Sequence, residues 1–275
     1  MIARHWLRAP ARRYTAVVWV ALVVAAQPSR AQLIGDSTST AGARLPPSPA
    51  APGSPTASSR YRYPVPLGPS DRTFWTISAA ALVGSALLDH PARDAIYGYR
   101  TPFLDRIAPL GDVFGTAKYT VPTVTAVFVA AHLSRNVNWE DATRHIALSY
   151  VLADATEALL KGAVGRQRPD YSGSAWRFQP LSSSDEWHSF PSGHVTHITA
   201  IAAAFAEEAH RPWITAVSTG AVMLTAWQRI YRNQHWASDV IGGAIIGVAA
   251  SRVTANWLRH KRKASIGAPP PNPLP

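Results

Sequence analysis

The sequence contains no cysteine. Disulfide frameworks, thiolate zinc sites and cysteine nucleophiles are therefore excluded, and a chain of 275 residues is large enough to bury a core without covalent staples. Acidic residues are scarce: 16 Asp plus Glu stand against 27 Lys plus Arg, a net charge of +11. That balance suits anionic partners such as phosphoesters, lipid head groups or nucleic acid. No nucleic-acid-binding motif accompanies the charge, and part of it sits at the two ends, in Arg4, Arg8, Arg12 and Arg13 and in Arg259, Lys261, Arg262 and Lys263; a nucleic-acid partner is not expected. No alternating strand pattern of useful length and no internal repeat is present. Long apolar runs are missing too. The charge-free helical runs reach about 16 residues, or ~24 Å, against a hydrocarbon core of ~30 Å.

What is there falls into four parts. Residues 1–31 read as an export signal: a basic start, an apolar run from Tyr14 to Ala26, then small residues at cleavage spacing at Val24 and Ala26 or Ser29 and Ala31. Residues 32–70 are rich in Pro, Ser and Ala without apolar periodicity, and predict a disordered linker. Residues 71–260 predict an all-α domain, a bundle of about six core helices. The expected helical stretches are Thr73–Leu88, a mixed Pro91–Gly111, Lys118–Ser134, Ala142–Lys161, His194–Ala209, Trp213–Gln228 and Ser238–Leu258, with a polar and aromatic loop at 170–190. Gly242, Gly243 and Gly247 in the last stretch permit close helix contact. Residues 261–275 are a basic, then Pro-rich, tail.

Three segments concentrate the groups that hold a phosphate. They are Lys161 to Arg168-Pro169, Pro191-Ser192-Gly193-His194, and Arg229 to His235 and Asp239. A transferred phosphoryl group spreads charge over three oxygens, so fixed cations and N–H donors must surround it. Lys161, Arg168 and Arg229 supply cations, and the guanidinium fork suits two oxygens at once. Ser192 offers a hydroxyl. Gly193 lets backbone N–H groups approach, at the N-terminus of the helix that starts near His194. Two histidines divide the remaining work, one attacking phosphorus as neutral imidazole and one protonating the leaving alkoxide. Asp239 lies four residues, one helical turn, after His235, where a carboxylate can hold a ring N–H. This assigns His235 as nucleophile, Asp239 as its orienting group and His194 as general acid, with no metal and no cofactor.

Lys161-x6-Arg168-Pro169, Pro191-Ser192-Gly193-His194 and Arg229-x5-His235-x3-Asp239 together resemble the three-part signature of the type 2 phosphatidic acid phosphatase (PAP2) superfamily, which includes lipid phosphatases, bacterial nonspecific acid phosphatases and vanadium haloperoxidases. The resemblance covers roughly 73–258 and is most secure over 154–250. It implies phosphate binding by the residues matching Lys161, Arg168, Ser192, Gly193 and Arg229, and it implies the same roles for His235, Asp239 and His194. One position departs: the third segment usually opens Ser-Arg and here reads Gln228-Arg229, which predicts retained chemistry with altered support around Arg229.

The expected activity is metal-independent hydrolysis of a phosphomonoester, a lipid phosphate or a pyrophosphate, through a phosphohistidine. The rivals are a vanadate-dependent haloperoxidase and a decayed phosphate-binding scaffold. Other residues have plainer readings: Arg166 an exposed charge, His197 a polar helix-face residue, and Gly111-Asp112 a turn and cap before the next helix. The expected location is exported and periplasmic, soluble or peripherally bound with membrane-surface contact. An integral inner-membrane protein with an outward-facing site is the alternative, and the basic end after Leu258 fits a cytoplasmic flank in that case.

Overall fold

The computed structural model describes residues 72–267, with side chains through Lys261. The export segment, the linker and the Pro-rich tail lie outside the described residues. Within them the chain is all helical, in eight α-helices: α1 Arg72–Leu87, α2 Asp89–Gly98, α3 Pro102–Gly115, α4 Ala117–Leu133, α5 Val137–Val164, α6 Gly193–Ala209, α7 Pro212–Tyr231 and α8 Ala237–Gly267.

Local chemistry sets most of these boundaries. Thr101 caps α3 by accepting from the Leu104 N–H at 3.2 Å, and Pro102 fills the first helical position, where its missing N–H costs nothing. Asn136 caps α5, its side chain accepting from Asn138 N and Trp139 N. Pro212 opens α7 in the same way as Pro102 opens α3. The mixed stretch 91–111 therefore resolves into two helices, α2 and α3, divided at 99–101.

Helix α6 is the centre of the bundle and packs on α5, α7, α8 and α3. Its sequence explains this: Val195, Thr196, Ile198, Thr199, Ala200, Ala202 and Ala204 are all buried, and small side chains let four neighbours approach. A tight approach is at Gly247 of α8, where a Cβ would stand 2.6 Å from Thr199 Cβ and 2.8 Å from Ala200 N. The glycines of α8 thus make the close helix contact that the sequence suggests.

Gly111-Asp112 is not a turn. Both residues lie in the last turns of α3, and the chain bends by 49° between α3 and α4, at Thr116. The glycines serve packing instead of turning. A Cβ on Gly111 would meet Gln228 Cβ at 2.7 Å, and one on Gly115 would meet His194 Cβ at 2.5 Å. The apolar content is also longer than the charge-free runs suggest: Ala237–Lys261 is long and apolar enough to cross a membrane, with half of its apolar window buried in the bundle.

Candidate active site

The three segments converge at one end of the bundle. Helix α5 ends there with Lys161, which pairs with Glu157 one turn earlier. Gly193 opens α6 directly against that pair, since a Cβ on it would stand 2.5 Å from Glu157 Oε1 and 3.1 Å from Lys161 Nζ. Glycine is thus required for the start of α6 to reach the end of α5. Ser192 is fully buried. Its N–H donates to the Asp239 carbonyl at 3.0 Å, and its Oγ has no hydrogen-bond partner.

His235 follows α7 in a short loop and is 2% exposed. Its Nδ1 lies 2.8 Å from the Ser189 carbonyl oxygen. A carbonyl only accepts, so Nδ1 carries the proton and Nε2 the lone pair. Burial pushes the His235 pKa well below its ordinary value, with further depression from Arg168, Arg229 and Lys161. The ring is therefore neutral and sits in the field of the three cations, the state a nucleophilic imidazole needs.

Asp239 does not hold the His235 ring directly. Its nearest carboxylate oxygen is 3.8 Å from Nδ1, beyond hydrogen-bond reach. The same oxygen accepts from Ser189 Oγ at 2.5 Å and from Trp236 N at 2.8 Å. The one-turn spacing brings Asp239 near the ring, but the carbonyl of Ser189, just before the cis peptide Phe190–Pro191, accepts the ring N–H instead. Arg166 is likewise not an exposed charge. It is 4% exposed and donates to Asp239 Oδ1 and Asp89 Oδ2, each at 2.6 Å.

His194 stands on the first turn of α6. Its Nε2 is 3.2 Å from Asp112 Oδ1 and 3.1 Å from Thr116 Oγ1. The Thr116 hydroxyl donates to the Asp112 carbonyl at 2.6 Å, so its oxygen is free to accept, and the network assigns the proton to Nε2. Burial lowers the His194 pKa to about 4, opposed by Asp112 and assisted by Arg229. Asp112 falls to about 2, held down first by its hydrogen bond to His194 and also by Arg229, against burial. Arg229 donates to Asp112 Oδ1 at 2.8 Å and pairs with Gln234 Oε1, while its Nε has no partner. Burial lowers it to about 10, so it remains a cation at neutral pH. Arg168 is anchored by Asp185 at 2.9 Å, from a 3₁₀ turn at Asp185–Trp187 within the 170–190 loop.

Asp112, Thr116, Asp89, Ser189 and Arg166 all touch this network, and sequence reading assigned none of them to it. Only Arg166 had a signal within the motifs, two residues before Arg168. Gln228 is buried against Gly111, with Oε1 3.5 Å from Arg229 Nη1, a marginal contact in place of the usual serine. His197 is a polar helix residue as expected, but buried, with Nε2 2.8 Å from Asp154 Oδ1. Asp154, Glu157 and His197 have ligand atoms within 4.8 Å of one another. His197 is engaged with Asp154 and Glu157 with Lys161, so the cluster reads as internal support beneath the site.

The model of the PAP2 superfamily matches residues 142–263. The lipid A 1-phosphatase of Rhizobium johnstonii is 35% identical over 121 residues, 43% of this chain and 48% of that protein. The lipid A 1-phosphatase of Porphyromonas gingivalis is 30% identical over 126 residues, 45% of this chain and 25% of that protein. The chain thus spans about half the length of the first relative and a quarter of the second. The crystal structure of Aquifex aeolicus LpxE shares the fold, with a TM-score of 0.50 at 22% identity, over 62% of this chain and 95% of that one.

Proposed function

We propose that this chain belongs to the PAP2 superfamily, whose model matches residues 142–263, and that it hydrolyses a lipid phosphate through a covalent phosphohistidine. The observation that carries this reading is the neutral, Nδ1-protonated imidazole of His235 within the field of Lys161, Arg168 and Arg229. The three cations hold the phosphoryl oxygens, joined by the unpartnered Ser192 hydroxyl and the N–H groups at the start of α6. The His235 Nε2 lone pair forms the N–P bond as the P–O bond to the leaving group breaks. His194, made imidazolium by the proton that the substrate monoanion brings, gives one proton to the leaving oxygen and returns to the neutral ring. Water then attacks phosphorus, His194 takes the water's proton, and the N–P bond breaks to release inorganic phosphate and free His235.

The low pKa of His194, about 4, bears on how its proton arrives. In the free protein at neutral pH the ring is uncharged. A phosphate monoanion brings a proton, and its negative charge favours the imidazolium beside it. Turnover is therefore expected to be fastest on the acid side of neutrality and to fall as the substrate loses its second proton.

The lipid class is supported by the names of the relatives, both lipid A 1-phosphatases, and by the surface. Leu87, Leu133, Leu159, Trp213, Val217 and Met223 are each between 66% and 75% exposed, apolar side chains that a lipid phase would cover. We place the protein at a membrane, outside the cytoplasm, with the phosphate site at the interface. The test is release of inorganic phosphate from a lipid phosphate in mixed micelles with EDTA present. The expected result is release by the wild type and none by His235→Ala. Undiminished release by that variant would sink the phosphohistidine.

A further inference from the structure

We propose that Asp89, Arg166 and the Ser189 hydroxyl are positioning residues that together fix the imidazole of His235. This inference rests on the reading of His235 as nucleophile. It starts from a mismatch: the carboxylate one turn from His235 is engaged with other partners, and the ring is held by a backbone carbonyl. A carbonyl is only as well placed as the peptide that bears it. Ser189 is completely buried and its peptide is fixed on three sides. Its N–H donates to the Arg166 carbonyl at 3.0 Å, its hydroxyl to Asp239 Oδ2, and its carbonyl receives His235.

The fixing continues behind Asp239. Arg166 Nη1 donates to Asp239 Oδ1 and to Ser238 Oγ, both at 2.6 Å. Its Nη2 donates to Asp89 Oδ2 at 2.6 Å, and its Nε to the Ala175 carbonyl at 2.9 Å. Asp89 in turn accepts from Ser238 N and Ser238 Oγ, each at 2.8 Å, and so holds the first turn of α8. Asp89 and Asp239 are 1% and 0% exposed. Two carboxylates buried so deeply call for a fixed cation with several donors between them. A guanidinium fork spans both, and an ammonium cannot. One line of contacts therefore runs from α2 to the nucleophile: Asp89, Arg166, Asp239, Ser189, His235. Asp89 lies outside the region that the family model matches, so the clamp joins the two halves of the chain behind the reacting ring. It touches neither phosphate nor leaving group. Its effect is to keep Nδ1 protonated and Nε2 aimed.

The experiment uses the purified full chain in mixed micelles, comparing wild type with Ser189→Ala, Ser189→Thr, Asp89→Asn and Arg166→Lys. It reads kcat, KM, inhibition by orthovanadate, and the ¹⁵N-histidine spectrum. Losing one hydrogen bond to a charged group predicts a kcat fall of about tenfold for Ser189→Ala and Asp89→Asn, and about a hundredfold for Arg166→Lys. KM and orthovanadate inhibition should stay within about twofold, since no phosphate ligand is lost. Ser189→Thr, which keeps the hydroxyl, should restore kcat. The His235 signal should pass from Nδ1-protonated to a tautomer mixture in Ser189→Ala. Unchanged kcat in Ser189→Ala and Asp89→Asn overturns the proposal, and so does a change confined to KM, which would make Arg166 a phosphate ligand. Should Arg166→Lys fail to fold, Ser189→Ala decides, because it removes one hydroxyl and leaves both ion pairs. If wild type releases no phosphate from any phosphoester, the hydrolase reading has failed. The ¹⁵N spectrum then judges the clamp by itself: a tautomer change in Ser189→Ala supports it and an unchanged signal rejects it.

Discussion

Helices α5 to α8 and helices α1 to α4 bring different chemistry to the same place. The first group, which the family model matches, brings the cations Lys161, Arg168 and Arg229, both imidazoles and the buried hydroxyl of Ser192. The second group brings carboxylates and a hydroxyl: Asp89 to Arg166, Asp112 to Arg229 and His194, and Thr116 to His194. In the proposed reaction the cations define where a tetrahedral anion sits. The groups from α2 and α3, and from the bend after α3, decide how those cations and imidazoles are oriented and protonated before it arrives. Both regions are needed for a working site, but damage to each should look different in an assay.

The contrast can be broken at four points. In the matched region, His235→Ala removes the bond-forming atom, and kcat should fall on the order of 10⁴-fold or more, to background; phosphate release measures it. Residual turnover near wild type would show that the chemistry lies elsewhere. Gly115→Ala places a methyl 2.5 Å from His194 Cβ. Overpacking of that kind costs about 1–3 kcal/mol, and because the displaced group is the proposed acid, kcat should fall more than Tm suggests. Asp112→Asn removes the carboxylate that opposes the depression of the His194 pKa. The imidazolium then forms only at lower pH, so the alkaline limb of the rate profile should move down, with a loss of about tenfold to a hundredfold near neutrality. An upward movement would contradict the assignment of the acid. Thr116→Val removes one neutral acceptor from His194 Nε2, worth about 0.5–1.5 kcal/mol, and should cost at most about tenfold in kcat with the pH profile unmoved.

The same division governs what can be read in the sequence. The three motifs are visible because each lies on or beside one helix end, where fixed spacing becomes fixed geometry. Lys161 to Arg168, Ser192 to His194 and Arg229 to His235 are short-range statements. Pro212 is visible for the same reason, as a local start signal, whereas the caps Thr101 and Asn136 are not used by the expected bounds: α3 begins at Pro102 inside the undivided stretch 91–111, and α5 begins at Val137 and not at Ala142. Asp89 and Asp112 are not visible, since their partners Arg166 and Arg229 lie 77 and 117 residues away. Gly111 and Gly115 mislead for a related reason. A glycine near a helix end suggests a turn, but here the demand for no side chain comes from Gln228 and His194 across a helix contact. Asp239 is intermediate: its spacing placed it beside His235, and only tertiary structure could reveal that Ser189 stands between them.

Ser192 Oγ and Arg229 Nε are buried without a hydrogen-bond partner. An orphaned polar atom costs a fold about 1–3 kcal/mol, and both of these belong to residues proposed to bind the phosphoryl group. In that reading a tetrahedral oxyanion supplies the acceptors they lack. The stability forgone there therefore reappears as affinity, and the protein should be a measurably tougher molecule when orthophosphate or vanadate is bound, its melting temperature rising with the logarithm of their concentration.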